Sequence, residues 1–264
     1  MLDKVLGAMA RRPIRLLHTS DVHLGPAGYE PQGRAHVSEC VCPIHILGHL
    51  VEEHDVDVVI VAGDLFDHAR VSSQLVFDTF DRLGEIRADV ALLPGNHDVF
   101  DETALYRRHR DALAASGVYF FDDPNGSAFD LAGGALRIWA RAMEDHYPGY
   151  QPLRYPPAHP GDRWFVVAGH GHFTPDAEDN YRSSPITVAD IDATGADYVA
   201  LGHWHVTTDL MARGASTPAW YPGASLFGHG AGQMLLVDLA PDEPVRVRTL
   251  SVLDHPASMC RPSA

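Results

Sequence analysis

Cysteine is scarce in this chain of 264 residues: Cys40, Cys42 and Cys260 are the only three. The odd number and the spacing match no four-ligand zinc pattern, so they read as free reduced thiols. Long apolar runs are missing too. None approaches the roughly 18 residues of a membrane helix. The longest, such as Val56 to Ala62, have the length of buried strands. The opening stretch MLDKVLGAMARRP places its arginines after a short apolar part, which makes a poor signal peptide. A cytoplasmic protein is the expectation. Basic charge is the third shortage: 20 Lys and Arg against 35 Asp and Glu give a formal net charge of −15. An acidic surface repels phosphate backbones, which argues against a protein that coats DNA.

What is present is a core and an excess of histidine. Hydrophobic residues make up 45% of the chain and histidine supplies 17 positions. The length suits one domain over residues 1–264. There is no internal repeat and no low-complexity segment. Five short apolar runs each end in a polar cluster. Ile14 to Leu17 leads to Asp21-Val22-His23, and Val56 to Ala62 to Gly63-Asp64-Leu65-Phe66-Asp67. Val90 to Leu93 leads to Gly95-Asn96-His97-Asp98, Phe165 to Ala168 to His170-Gly171-His172, and Tyr198 to Leu201 to His203-Trp204-His205. Such runs, bounded by Gly or Pro, predict strands buried on both faces.

Helical periodicity falls between the first three runs. It predicts helices over about 34–53, with Pro43 kinking it or delaying its start, over 72–87 and over 102–115. Alternating strand and helix implies parallel strands with crossover helices. Further on, 135–140, 219–221, 234–239 and 245–250 look like strands with few helices between, hence a mixed second sheet. Residues 144–162 hold five prolines and no periodicity, which predicts a long ordered loop beside the site, or a flap.

In an open α/β sheet, ligands bind beyond the carboxyl ends of the strands, where all five clusters fall. If Asp21 and His23 are extended, both point to one face, and His203 and His205 share that spacing. Each cluster alone has a plain explanation. Asp-x-His is commonly a surface or capping pair, Gly-Asn-His-Asp a turn, and a single histidine a satisfied core residue. Those explanations do not account for five clusters in one structural context.

The set D-x-H, G-D-x-x-D, G-N-H-D, a lone H and G-H-x-H, in that order over residues 19–205, resembles the calcineurin-like metallophosphoesterases. The wording TSDVHLG, GDLFDH, YVALGHWH and WYPGAS is most similar to the nuclease subunits of the Mre11 and SbcD type. The resemblance implies a four-layer α/β/β/α sandwich of two mixed sheets. It implies one metal on Asp21, His23, Asp64 and His205, and a second on Asp64, Asn96, His170 and His203. Asp64 would then bridge. His97 would protonate the leaving oxygen, oriented by Asp67, with Asp98 as the alternative partner. His170, which precedes a glycine, is preferred over His172 as the lone histidine. His68 is a candidate for reaching substrate, and His18, His146 and His229 are assigned surface or supporting roles.

Independently of the resemblance, carboxylate, amide and imidazole donors without thiolate suit Mn²⁺, Fe or Zn²⁺, and Mn²⁺ is the expected ion. Two ions roughly 4 Å apart can hold a hydroxide and clamp an in-line displacement. Two divalent cations would also bring the net charge to about −11, at the place where a phosphate binds.

His68-Ala69 stand where serine/threonine phosphatases of this family carry Arg-Gly, so that subgroup is not expected. Only 59 residues follow His205. Neither a DNA-capping domain of ordinary size nor an arm for a coiled-coil ATPase partner is expected in them. The expected activity is hydrolysis of a phosphodiester or phosphomonoester, with a small diester or nucleotide favoured as substrate. A DNA exonuclease is the alternative, and a catalytically silent interaction module the alternative from another class. Arg107, Arg108 and Arg110 are too closely spaced to share one helix face, and read as solvated rather than as a DNA groove.

Overall fold

The computed structural model describes residues 11–25, 42–175, 182–225 and 232–252. The predicted helical residues 34–41, His229, Cys40 and Cys260 lie outside them. Along the chain come β1 (Ile14–Thr19), α1 (Cys42–His54), β2 (Val58–Ala62), α2 (Ser73–Gly84), β3 (Asp89–Leu93), α3 (Leu105–Arg108), α4 (Arg110–Ser116) and β4 (Tyr119–Phe120). Next are β5 (Ser127–Leu131), β6 (Leu136–Ala140), β7 (Trp164–His170), β8 (His172–Phe173) and β9 (Pro185–Ile186). Last come α5 (Val188–Ala193), β10 (Tyr198–Gly202), β11 (Thr208–Asp209), β12 (Ala219–Tyr221), β13 (Gln233–Leu239) and β14 (Arg246–Ser251).

Twelve strands form two mixed six-stranded sheets, β14-β13-β1-β2-β3-β4 and β11-β12-β10-β7-β6-β5, and β8 pairs with β9 apart from them. Every residue of β2, β7 and β10 is buried, as parallel strands covered on both faces require. Alternation sends their side chains into different cores. Leu16, Val58, Ile60, Leu93, Ile138, Val166 and Ala200 fill the space between the sheets. Leu17, Val59, Val61 and Leu92 face outward onto Leu47, Leu50, Val76 and Phe80 of α1 and α2. Phe165, Val167, Val199 and Leu201 cover the other outside with Ile191 of α5 and Leu153 of the long loop. The result is the expected four-layer arrangement.

α2 begins where Ser72 accepts the Leu75 N–H at 3.2 Å, and it buries Leu75, Val76, Phe80 and Leu83 at helical spacing. Pro43 stands in the first turn of α1 as described, where its missing N–H costs little.

Three expectations need correction. The last two strands do not join the second sheet: β13 pairs antiparallel with β1, Ile14 opposite Leu239, and β14 follows it. Alternation explains both options equally, because it sets which faces are apolar and leaves the neighbour open. The helix expected over 102–115 is broken at His109 into α3 and α4. His18 is fully buried, its Nδ1 2.9 Å from the Tyr198 hydroxyl and its Nε2 3.2 Å from the Leu201 carbonyl. It therefore ties β1 to β10 across the sheets, and burial pushes its pKa down to about 3, which keeps it neutral. The arginines are exposed, as read from the sequence. Arg107 lies 3.9 Å over the Phe100 ring, and Arg108 donates to the Thr103 and Ala69 carbonyls. Arg110 stands beside Asp111.

Candidate metal centre

β1 stops at Thr19, and the chain then turns with Asp21 and His23 both at φ 52°. Asp64 at φ 53° and His203 at φ 103° make similar turns after β2 and β10. This replaces the extended Asp-x-His geometry expected from spacing. Left-handed backbone costs a non-glycine residue about 1 kcal/mol or more. The turns hold because they are laced to one another. Asp21 N donates to Gly63 O at 3.1 Å, His23 N to Asp64 O at 3.0 Å and Leu24 N to Leu65 O at 2.9 Å. Gly202 is needed for close approach, because a Cβ there would overlap the Ala62 carbonyl.

These turns bring the side chains of five strand ends together. Asp21 and Asp64 form a buried floor, 0% and 1% exposed. Each carboxylate has one oxygen held and one presented. Asp21 Oδ2 accepts from Ser20 Oγ and from His203 N at 3.0 Å. Its Oδ1 is buried without a hydrogen-bond partner among the described residues, 3.5 Å from His205 Nε2 and 3.9 Å from His23 Nε2. Asp64 Oδ1 accepts from His97 N at 2.8 Å. Asp64 Oδ2 lies 3.9 Å from His23 Nε2 on one side and 3.3 Å from His170 Nε2 on the other. Beyond that, Asn96 Oδ1 is 2.9 Å from His170 Nε2 and 2.8 Å from His203 Nδ1. His23 Nε2 and His205 Nε2 are 3.4 Å apart.

Donors sharing a cation at about 2.1 Å are themselves roughly 3.0–3.5 Å apart in octahedral or tetrahedral arrays. Both groups of atoms sit near that spacing, and Asp64 Oδ2 is common to them. The His170 Nδ1–H donates to the Ala62 carbonyl at 2.8 Å, which leaves Nε2 as the inward-facing nitrogen. Burial alone would raise the Asp64 carboxyl, yet the facing His170 imidazole holds it well below the usual carboxylate range. Burial would likewise lower His170, and Asp64 instead lifts it to about 9. A buried pair of carboxylates whose presented oxygens face imidazoles fits a divalent cation well.

The remaining candidates are sorted by their contacts. His170 belongs to the buried set, whereas the His172 ring stands 5.8 Å from the His203 ring and 5.0 Å from Trp204. His97 is exposed at the rim, its ring 4.6 Å from that of His23. Its Nδ1 meets the Asp67 backbone carbonyl at 2.7 Å, and the Asp67 carboxylate only at 3.7 Å. Asp67 therefore orients this imidazole through its main chain. Asp98 does not serve His97. It is fully buried and accepts from Gly95 N at 2.7 Å, Phe66 N at 3.1 Å and Tyr106 Oη at 2.6 Å. Burial, with the charge of Asp64 second, raises it to about 6. His68 is half-buried and uses Nδ1 to accept the Arg70 N–H at 3.1 Å.

Sequence reading missed Ser20, Tyr106 and Ser184, whose roles depend on tertiary neighbours. It also missed that His146 lies against His203, ring centroids 5.3 Å apart. Because Asp98 pins the Gly95-Asn96 turn, Asp98→Ala is expected to destabilise the fold by at least about 3 kcal/mol, orphaning two N–H groups and a phenol. Tyr106→Phe is expected to cost about 1–2 kcal/mol. Urea unfolding measures both, and an Asp98→Ala protein within about 1 kcal/mol of wild type would refute that role.

Residues 14–207 match the model of the calcineurin-like phosphoesterases. The chain belongs to this family. It is 27% identical over 232 residues to the DNA double-strand break repair protein Mre11 of Methanopyrus kandleri, covering 80% of this chain and 48% of that protein. It is 25% identical over 271 residues to the SbcD component of the nuclease SbcCD of Bacillus subtilis, covering 87% of this chain and 67% of the relative. The chain thus spans about half to two thirds of the length of these relatives. A solved structure, TT1561 of Thermus thermophilus, superimposes with a TM-score of 0.57 at 13% identity over 90% of this chain and 99% of that one. That likeness shows the fold alone. No helix among the described residues is long and apolar enough to cross a membrane.

Proposed function

We propose that this calcineurin-like phosphoesterase hydrolyses phosphodiesters at a two-metal centre, with small diesters or nucleotides as its substrates. The observation that carries the reading is Asp64 Oδ2, standing between His23 Nε2 at 3.9 Å and His170 Nε2 at 3.3 Å. One ion would be held by Asp21, His23, Asp64 and His205, the other by Asp64, Asn96, His170 and His203. When bound, the two cations, with Mn²⁺ the expected ion, would supply an activated water and positive charge against the phosphoryl oxygens. The protein supplies the rest. Ser20 Oγ and His203 N aim the Asp21 carboxylate, Ala62 O fixes the His170 tautomer, and the exposed rim admits substrate. His97, with Nδ1–H donated to the Asp67 carbonyl, turns Nε2 outward to deliver a proton to the leaving oxygen. Loss of donors would favour a silent interaction module, and every expected donor is present.

Small substrates are favoured over duplex DNA by the net charge of −15 and by the use of Arg107 and Arg108 in binding the protein's own ring and carbonyls. The specific observation favouring an exonuclease is the similarity to Mre11 and to the SbcD component of SbcCD, proteins named for DNA repair and nuclease activity. The expected outcome with Mn²⁺ is hydrolysis of bis-nitrophenyl phosphate that outpaces degradation of linear duplex DNA, with the Asp64→Ala protein as the contamination control. Processive DNA degradation by the wild type alone would replace the small-diester reading by the exonuclease one.

A further inference from the structure

His146 comes from the proline-rich loop and is not one of the donors assigned above. Its ring lies 5.3 Å from that of His203, and its Nδ1 is 3.0 Å from Ser184 Oγ. Ser184 is fully buried and held at φ 50°, a costly conformation for a serine. Its backbone is tied on both sides: its N–H donates to Tyr147 O at 3.0 Å, and its carbonyl accepts from His172 N at 2.9 Å. The serine therefore cannot follow the histidine, and the histidine must conform to the serine. With the hydroxyl donating to Nδ1, the ring proton sits on Nε2. That edge carries no protein hydrogen bond among the described residues, and the residue is only half-buried.

We infer that His146 binds the substrate phosphate, its Nε2–H donating to a non-bridging oxygen, with Ser184 as the positioning residue. The inference rests on the reading of this site as a phosphoesterase. The placement is complementary to that of His97. One imidazole flanks His23, with ring centroids 4.6 Å apart, and the other flanks His203 at 5.3 Å. A phosphate seated over Asp64 would thus meet one donor on each bank. The leaving-group side is served by His97, so the His146 donor serves binding rather than proton transfer. Nothing in the motif spacing marks His146, because it reaches the centre from a loop with no periodic pattern.

The test measures inorganic phosphate binding by calorimetry on the Mn²⁺-loaded full chain, beside the KM and kcat for bis-nitrophenyl phosphate. His146→Ala should weaken phosphate binding and raise KM by about tenfold or more, as loss of a hydrogen bond to a charged oxygen implies. Metal content and kcat should stay near wild type. His146→Gln, whose amide nitrogen reaches the place of Nε2, should recover most of the loss. Ser184→Ala should fall between wild type and His146→Ala. Phosphate affinity and KM within twofold of wild type in His146→Ala would overturn the inference. Loss of metal in that variant would also overturn it, making His146 part of the cation site. Wild-type protein that binds phosphate through His146 but hydrolyses no ester would sink the proposed function and leave this assignment standing.

Discussion

Asp64→Ala is expected to take the metal content from two ions per chain to fewer than one, and to lower diester hydrolysis at least about 10³-fold. The effect is large because one oxygen serves both groups of donors: Oδ2 is 3.9 Å from His23 Nε2 and 3.3 Å from His170 Nε2. Other donors lie in one group only, so Asp21→Ala or His205→Ala should empty one position and spare the other. Asp64 also accepts the His97 N–H at 2.8 Å, and alanine would leave that group without its partner. Asp64→Asn separates the two roles. Its amide oxygen can still take the N–H and preserve the turn, while the bridging charge is lost. Metal analysis of the folded variants decides the matter. Two ions bound to Asp64→Ala with full activity would end the assignment of Asp64 as the donor shared by both ions.

His97→Ala is expected to keep both ions and lose roughly 10²-fold or more in kcat for esters of poor leaving groups. The loss should shrink for nitrophenyl esters, because nitrophenolate departs without needing a proton. The geometry supports a role distinct from metal binding. The ring is exposed at the rim and takes its orientation from the Asp67 carbonyl at 2.7 Å. Substrates of graded leaving-group pKa make the measurement. Equal losses across the series would show that His97 only positions phosphate. Loss of an ion in the variant would instead place His97 in the cation site, where His23, Asp67 and His97 do converge.

The five clusters were legible because each lies within a few residues of a strand end, and strand ends are readable from short apolar runs. The family and the sandwich followed from that order. Asp21 and His23 do approach each other, but not through the expected backbone. Their spacing suits an extended strand, while the chain in fact turns through left-handed backbone at both residues. Such turns are stabilised by partners such as Gly63 O and Asp64 O, about 40 residues away, and no local propensity announces them. That Asp98, the alternative imidazole partner, instead holds the Gly95 turn was not legible for a similar reason. Its acceptors face Phe66 and Tyr106, which only folding brings near. α5 was missed because six residues with one buried side chain, Ile191, show no period.

By itself the sequence determined which residue types stand at the strand ends, in which order, and which strand faces are apolar. That suffices for the family and for the chemistry of the donors, since both depend on local pattern. Tertiary structure decided the rest. It placed β13 and β14 beside β1 rather than in the second sheet, because alternation does not choose a neighbour. It put His18 between the sheets, His170 rather than His172 in the buried set, and His146 against His203. These are facts about which side chains meet across tens or hundreds of residues. Burial, backbone strain and long-range hydrogen bonds set such meetings jointly, so no window of sequence contains them.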